Sequence, residues 1–183
     1  EFIELARSRP GQLNYGSSGT GTITHLSSAM MSAQLGLQTQ HVPYKGSAPA
    51  LVDLAAGQTQ FMIDTMNTVL PYVRDGRLRA LAVSSLKRSS VLPDLPTLHE
   101  SGMSGFDAAA WQGVVVPAAT PADIVQRLNT ELNKALVHPD VRAKLALQGA
   151  DPIGGTTADY AAYIRSELPR WSKAVKDSGA RVD

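Results

Sequence analysis

Cysteine is missing altogether from the 183 residues. That excludes disulfide bonds, thiolate catalysis and cysteine-ligated metals, and leaves the redox compartment open, since a cysteine-free chain works anywhere. A dominant charge is missing too, with 17 basic and 16 acidic residues giving a formal charge of +1. A nucleic-acid partner is therefore not expected, because such proteins present a basic face to phosphates. The short clusters Arg74, Arg77, Arg79 and Lys87, Arg88 read as solvated surface. No apolar stretch approaches the ~20 residues of a membrane span. Histidine is scarce, and His25, His41, His99 and His138 never fall at the i, i+4 spacing of a helical zinc pair, so neither a metal site nor another cofactor is expected. A usual start is absent as well. Glu1 to Ser8 read as the middle of an amphipathic helix, with no initiator Met, cap or leader before them, which sets the expectation of a piece of a longer protein.

What is present alternates. Arg9-Pro10-Gly11 ends the first helix, a strand follows at Leu13-Asn14-Tyr15, and a helix with Ile23, Leu26, Met30 and Ala33 on one face closes at Gly36. Gln40 to Tyr44 reads as a second strand, and Ser47 as the cap of a helix with Pro49 in its first turn, ended by Gly57. Thr59 to Asp64 and Leu78 to Ser84 read as further strands, separated by a short helix near Thr68 to Arg74 that has to begin late to keep Pro71 in its first turn. Strict alternation with short connections indicates a mostly parallel α/β sheet. From residue 86 to 105 the pattern loosens. Ala109 to Val116 then reads as a buried strand, and Thr120-Pro121-Ala122-Asp123 as a capped helix start. That helix carries Ile124, Leu128, Leu132 and Leu136 on one stripe. Two more helices follow, from Pro139 to Gly149 and from Thr156 or Thr157 to about Lys176.

The chemistry concentrates in Gly16-Ser17-Ser18-Gly19-Thr20-Gly21-Thr22, between the first strand and its helix. Such a loop offers an anion free backbone N–H groups, a favourable helix dipole and hydroxyl donors. Its spacing imitates a phosphate-binding loop but has no lysine before the hydroxyl residue, and the dinucleotide pattern lacks its third glycine. A carboxylate held by neutral donors suits it better than a phosphate. An ordinary glycine-rich turn is the plain alternative. A serine hydrolase with His25 and Asp64 as partners is the enzymatic one, although the nucleophile-elbow pattern is absent and His25 follows the serines too closely. Two more strand ends converge on the same edge. At Tyr44-Lys45-Gly46, Tyr44 reads either as an aromatic wall or as core filler. Asp64 reads either as a partner for a ligand hydroxyl or amine, or as an acceptor holding a loop.

The run from Leu13 to Thr22, followed by His25-Leu26 and His41-Val42-Pro43-Tyr44-Lys45-Gly46, resembles the substrate-binding proteins of tripartite tricarboxylate transporters, the Bug or TctC type. The resemblance continues through Ala48-Pro49-Ala50-Leu51, Phe61-Met62-Ile63-Asp64, Gly76 to Val83, Pro93 to Thr97, Trp111-Gln112-Gly113, Pro117 to Pro121 and Trp171, covering essentially the whole chain. It implies a periplasmic-binding-protein-like α/β fold of the type II, Venus-flytrap kind, with one complete lobe and part of the other. It also implies a periplasmic receptor that binds a small carboxylate (a dicarboxylate, amino acid or aromatic acid) and delivers it to the membrane components of a transporter, without catalysis. A ligand-sensing subunit is a further alternative on the same fold. Residues 1–11 are then a partial crossover helix, 12–105 the ligand-binding lobe, and 106–183 the mainly helical remainder of the other lobe. Ligand contacts are expected from Ser17, Ser18, Gly19, Thr20, Gly21, Thr22, Tyr44, Lys45, Gly46 and Asp64. Family members carry a secretion signal, the first strands of one lobe and a proline- and glycine-rich loop ahead of where this chain begins. The helical tail is therefore expected to pack on another copy or to leave an apolar face exposed.

Overall fold

The structure is a computed structural model, and it describes residues 1–181. The element order is α1 (Phe2–Ser8), β1 (Leu13–Ser17), α2 (Ile23–Leu35), β2 (Thr39–Pro43), α3 (Ser47–Ala55), α4 (Met66–Arg74), α5 (Ala122–Val137), α6 (Pro139–Leu147) and α7 (Thr157–Ser178). β1 and β2 pair in parallel, with Tyr15 opposite His41 and Ser17 opposite Pro43. A parallel pair requires a crossover, and α2 supplies it. α2 stops at Gly36, whose φ of 63° only glycine adopts cheaply, while Leu37 N–H returns to the Ser32 carbonyl at 2.8 Å.

On the other side of β1 runs the segment around Phe61. Gly16 N–H donates to the Phe61 carbonyl and Gln60 N–H to the Asn14 carbonyl. This segment was expected to be a full strand over 59–64. It is a single bridge at Phe61, because Ile63 N–H has already turned to the Ser28 hydroxyl of α2. The expected strand over 78–84 likewise shrinks to one bridge between Val83 and Thr97. The segment 109–116 is not a buried strand, and Val114 and Val115 are 65% and 77% exposed. Among the described residues no strand lies beside it, and a strand without a neighbour has no ladder to hold it.

Three helix starts also differ from expectation. α3 begins at Ser47 itself, after Gly46, without a side-chain cap. α5 begins at Ala122 with no capping hydrogen bond from Thr120. α4 begins early enough to place Pro71 in its interior, removing one helical hydrogen bond there. Only at α7 does the expected cap form, with Thr156 and Asp159 bonding each other's backbone N–H.

The core gathers Ala6, Leu13, Tyr15, Met31, Phe61, Met103, Phe106 and Ala108, with Trp171 of α7 packed on its edge. α7 docks on α2 and contributes Ala174 and the buried Glu167, whose carboxylate accepts from Trp171 Nε1 and pairs with Arg170. The Trp111 ring meets Tyr160 and Tyr163 edge to face, and Gly113 lies so close to Tyr160 that any side chain there would collide with its ring. No helix among the described residues is long and apolar enough to cross a membrane.

Candidate functional site

The carboxyl ends of β1, β2 and the Phe61 segment lie along one edge, as the parallel register requires. The pairing continues past the strands, since Tyr44 N–H donates to the Ser17 carbonyl at 3.1 Å and Gly46 N–H to the Ser18 carbonyl at 3.0 Å. The loops after β1 and β2 are therefore zipped side by side. The third end, Asp64, is tied in only through Ile63 and α2.

Within the first loop the hydroxyls form a chain whose direction is fixed by its last acceptor. Thr22 Oγ1 donates to the Gly19 carbonyl at 2.6 Å, so its contact with Thr24 Oγ1 at 2.9 Å is accepted from Thr24. Thr24 Oγ1 in turn accepts from the Ser18 hydroxyl at 2.9 Å and from Ser18 N–H at 2.8 Å. Thr24 is the hub of this network, and the sequence reading missed it. Its one sequence signal is a hydroxyl at the second position of the helix, just after the loop.

Ser17 is fully buried, and its hydroxyl meets His41 Nε2 at 2.6 Å while accepting Gly19 N–H at 3.2 Å. His25 lies a turn into the structure beneath the loop and accepts Gly21 N–H on Nδ1 at 3.1 Å. Neither histidine role was anticipated. A serine beside an imidazole invites the hydrolase reading, but this serine is sealed from solvent and no carboxylate among the described residues pairs with the imidazole. Burial lowers the His25 pKa, and burial together with repulsion from His25 lowers that of His41 to about 4, so both rings are neutral near pH 7.

Three backbone donors remain. Among the described residues no acceptor meets the N–H groups of Ile23, Thr24 and His25, the first three of α2, although Thr24 and His25 are 3% and 4% exposed. The first N–H groups of a helix have no intrahelical partner, and side chains, water or a ligand meet them. Thr20 is exposed at the loop tip, and Ser18, Gly19, Gly21 and Thr22 are half-buried around these donors. Gly19 and Gly21 hold φ of 144° and 77°, which fits the need for glycine at both.

The second loop is divided in its roles. Gly46 belongs to the zipped backbone and Lys45 is exposed. The Tyr44 ring packs over Gly16 and its hydroxyl donates to Asp53 Oδ2 at 2.8 Å, away from the first loop's hydroxyl chain. Asp64 Oδ1 accepts Thr65 N–H at 2.7 Å, while Oδ2 is shielded and has no partner. Two open grooves, of about 540 Å³ and 670 Å³, lie elsewhere, beside Asn133 and Thr156 and beside Arg79 and Leu92, and none of the expected site residues lines them.

A parallel sheet edge with open amides and a neutral, hydroxyl-rich loop is the build of an α/β binding protein. The family profile described as the tripartite tricarboxylate transporter family receptor, TctC, matches residues 1–180, and the chain belongs to that family. It is 41% identical over 176 residues to the "UPF0065 protein in tcbD-tcbE intergenic region" of Pseudomonas sp. strain P51, covering 96% of this chain and 52% of that protein. It is 36% identical to Protein BugT of Bordetella pertussis, covering 99% of this chain and 56% of that one. The chain thus spans about half the length of these two relatives. Among solved structures it matches R. palustris Rpa4515 with adipate at a TM-score of 0.88 and 39% identity, covering 98% of this chain and 60% of that one. It also matches MatC from Rhodopseudomonas palustris with bound malate at 0.80 and 32% identity, covering 95% and 60%. The fold is that of the periplasmic solute-binding proteins, the chain spans about 60% of the solved chains it matches, and its relatives are binding proteins of the Bug and TctC type.

Proposed function

We propose that this chain forms the carboxylate-holding part of a periplasmic receptor that captures a small organic acid, a dicarboxylate in the first instance, and hands it to the membrane components of a tripartite tricarboxylate transporter. The observation that carries the reading is the set of unpartnered N–H groups at Ile23, Thr24 and His25, set beside a loop without a single cation. Three neutral donors on a helix amino terminus match one carboxylate group. The relatives support the ligand class, because one solved neighbour holds adipate and another malate. In this reading residues 12–105 are the ligand lobe. Ser18, Gly19, Thr20, Gly21 and Thr22 surround the carboxylate. Lys45, Gly46 and Asp64 border the site, and Ser17 and Tyr44 act from behind it. Asp64 Oδ2, shielded and unpartnered, favours a ligand carrying a donor, such as a hydroxyl.

A thermal-shift screen of the full chain against adipate, malate, succinate, amino acids and aromatic acids tests this. A ligand at a hundred times its dissociation constant stabilises by about 2.7 kcal/mol, an easily read shift. Failure of every carboxylate in the panel to shift the transition would sink the reading.

A further inference from the structure

Two histidines lie beneath the loop without being needed to touch a ligand. His25 on α2 and His41 on β2 stack with ring centroids 3.7 Å apart and planes 6° apart. Tyr15, opposite His41 in the sheet, continues the stack at 5.1 Å from His41. Each imidazole holds one glycine of the loop. His25 Nδ1 accepts from Gly21 N–H, and since an amide only donates, that nitrogen carries no proton and the ring is neutral, with its proton on Nε2. His41 acts through Ser17, whose oxygen accepts from Gly19 N–H.

The two ties respond differently to acid. A proton on His25 Nδ1 sets donor against donor at Gly21 and abolishes that bond. A protonated His41 keeps its bond to Ser17 as the donor, and the Ser17 hydroxyl donates to the Gly19 carbonyl 3.1 Å away. Two imidazolium rings at stacking distance repel, so the pair takes one proton well before the other. That first proton belongs to the pair rather than to either ring, and wherever it sits on His25 Nδ1 the Gly21 bond is lost.

Among the described residues the surroundings supply no compensating charge. Tyr15 faces both rings from β1, and burial raises its phenol to about 12, so it stays neutral. α2 and β2 carry no other titratable side chain. Asp53 of α3 is committed to Tyr44, and Arg7 of α1 reaches the Leu35 carbonyl. On α7, packed against α2, Glu167 is held by Arg170 and Trp171, Lys173 pairs with Asp177, and Asp159 serves the helix cap.

We propose that His25 and His41 are positioning residues of the ligand site, and that protonation of His25 within this stacked pair unties Gly21 and loosens the loop, so that bound carboxylate is released on acidification. The ligand half of this rests on the proposed function; the loop half does not. The new positive charge attracts an anion, but it appears where the loop needs an acceptor, and the oriented donors at Ile23, Thr24 and His25 are lost with the loop's shape.

The test uses amide NMR of Gly21 in the ligand-free full chain, and adipate affinity by calorimetry, from about pH 7.5 to about pH 5.5. Asparagine places an oxygen near the Nδ1 position and does not titrate, so His25→Asn keeps the tie, whereas His25→Gln reaches toward Nε2 and does not. In the wild type the Gly21 signal should titrate with a midpoint below the ordinary imidazole value. Adipate affinity should fall about three- to tenfold more than in His25→Asn, the worth of one hydrogen bond. His25→Asn should show a pH-independent Gly21 signal and an adipate affinity that hardly changes with pH, whatever its absolute value, and His25→Gln should bind more weakly than His25→Asn throughout. A Gly21 signal that does not titrate in the wild type, or that titrates equally in His25→Asn, overturns the loop support. The same pH dependence of affinity in both proteins overturns its coupling to the ligand. Absence of adipate binding at every pH counts against the carboxylate reading, while Gly21 still decides the loop.

Discussion

Residues 1–108 and residues 109–181 use periodic apolar patterns to opposite effect. Every buried apolar side chain except Ala174 lies in the first region. α5 in the second has the cleaner stripe, yet Ile124, Leu128 and Leu132 are 45%, 42% and 40% exposed and the helix buries no residue. α2 has a weaker apolar stripe, with serines, a threonine and a histidine on its inner face, and still buries seven residues because β1, β2 and α7 lie against it. Periodicity tells which way a helix would face. Burial depends on whether something is there to face.

That contrast can be broken or sharpened by substitution. The largest effect is expected in the first region, where Leu51→Ala removes a side chain only 2% exposed and should cost about 2–5 kcal/mol in urea denaturation. A loss well under about 1 kcal/mol would mean that this core is no better packed than the second region. Thr156→Ala comes next. It deletes the reciprocal cap of α7 and should cost about 1 kcal/mol, seen as a lower thermal midpoint with reduced helical signal. The smallest change is expected for Leu128→Ser on the open stripe of α5, within about 0.5 kcal/mol. If it instead costs as much as a core truncation, the stripe has a partner in solution and the contrast between the regions disappears.

The same contrast explains what the sequence could tell. The strand, glycine loop and helix from Leu13 to Gly36 were legible because glycine, hydroxyl and apolar spacing all act locally. So was the resemblance to the receptor family, carried by motifs strung along the chain. The strands expected at 59–64, 78–84 and 109–116 were misjudged because β structure is decided by neighbours that one segment's composition does not reveal. At the site, the glycines and hydroxyls announced themselves, but the histidines did not. Only the register that sets Tyr15 against His41 brings an imidazole to Ser17, and only the turn of α2 brings the other to Gly21.

The zipped pair of loops bears also on the order in which the molecule assembles. β1, α2 and β2 follow one another directly, and the Phe61 segment that flanks β1 comes a single helix later. The contacts that shape the loop therefore close short stretches of chain, with little entropy of closure, whereas the docking of α7 on α2 joins distant parts. During synthesis the glycine loop has both β1 and β2 and the Phe61 segment at hand before α5 leaves the ribosome.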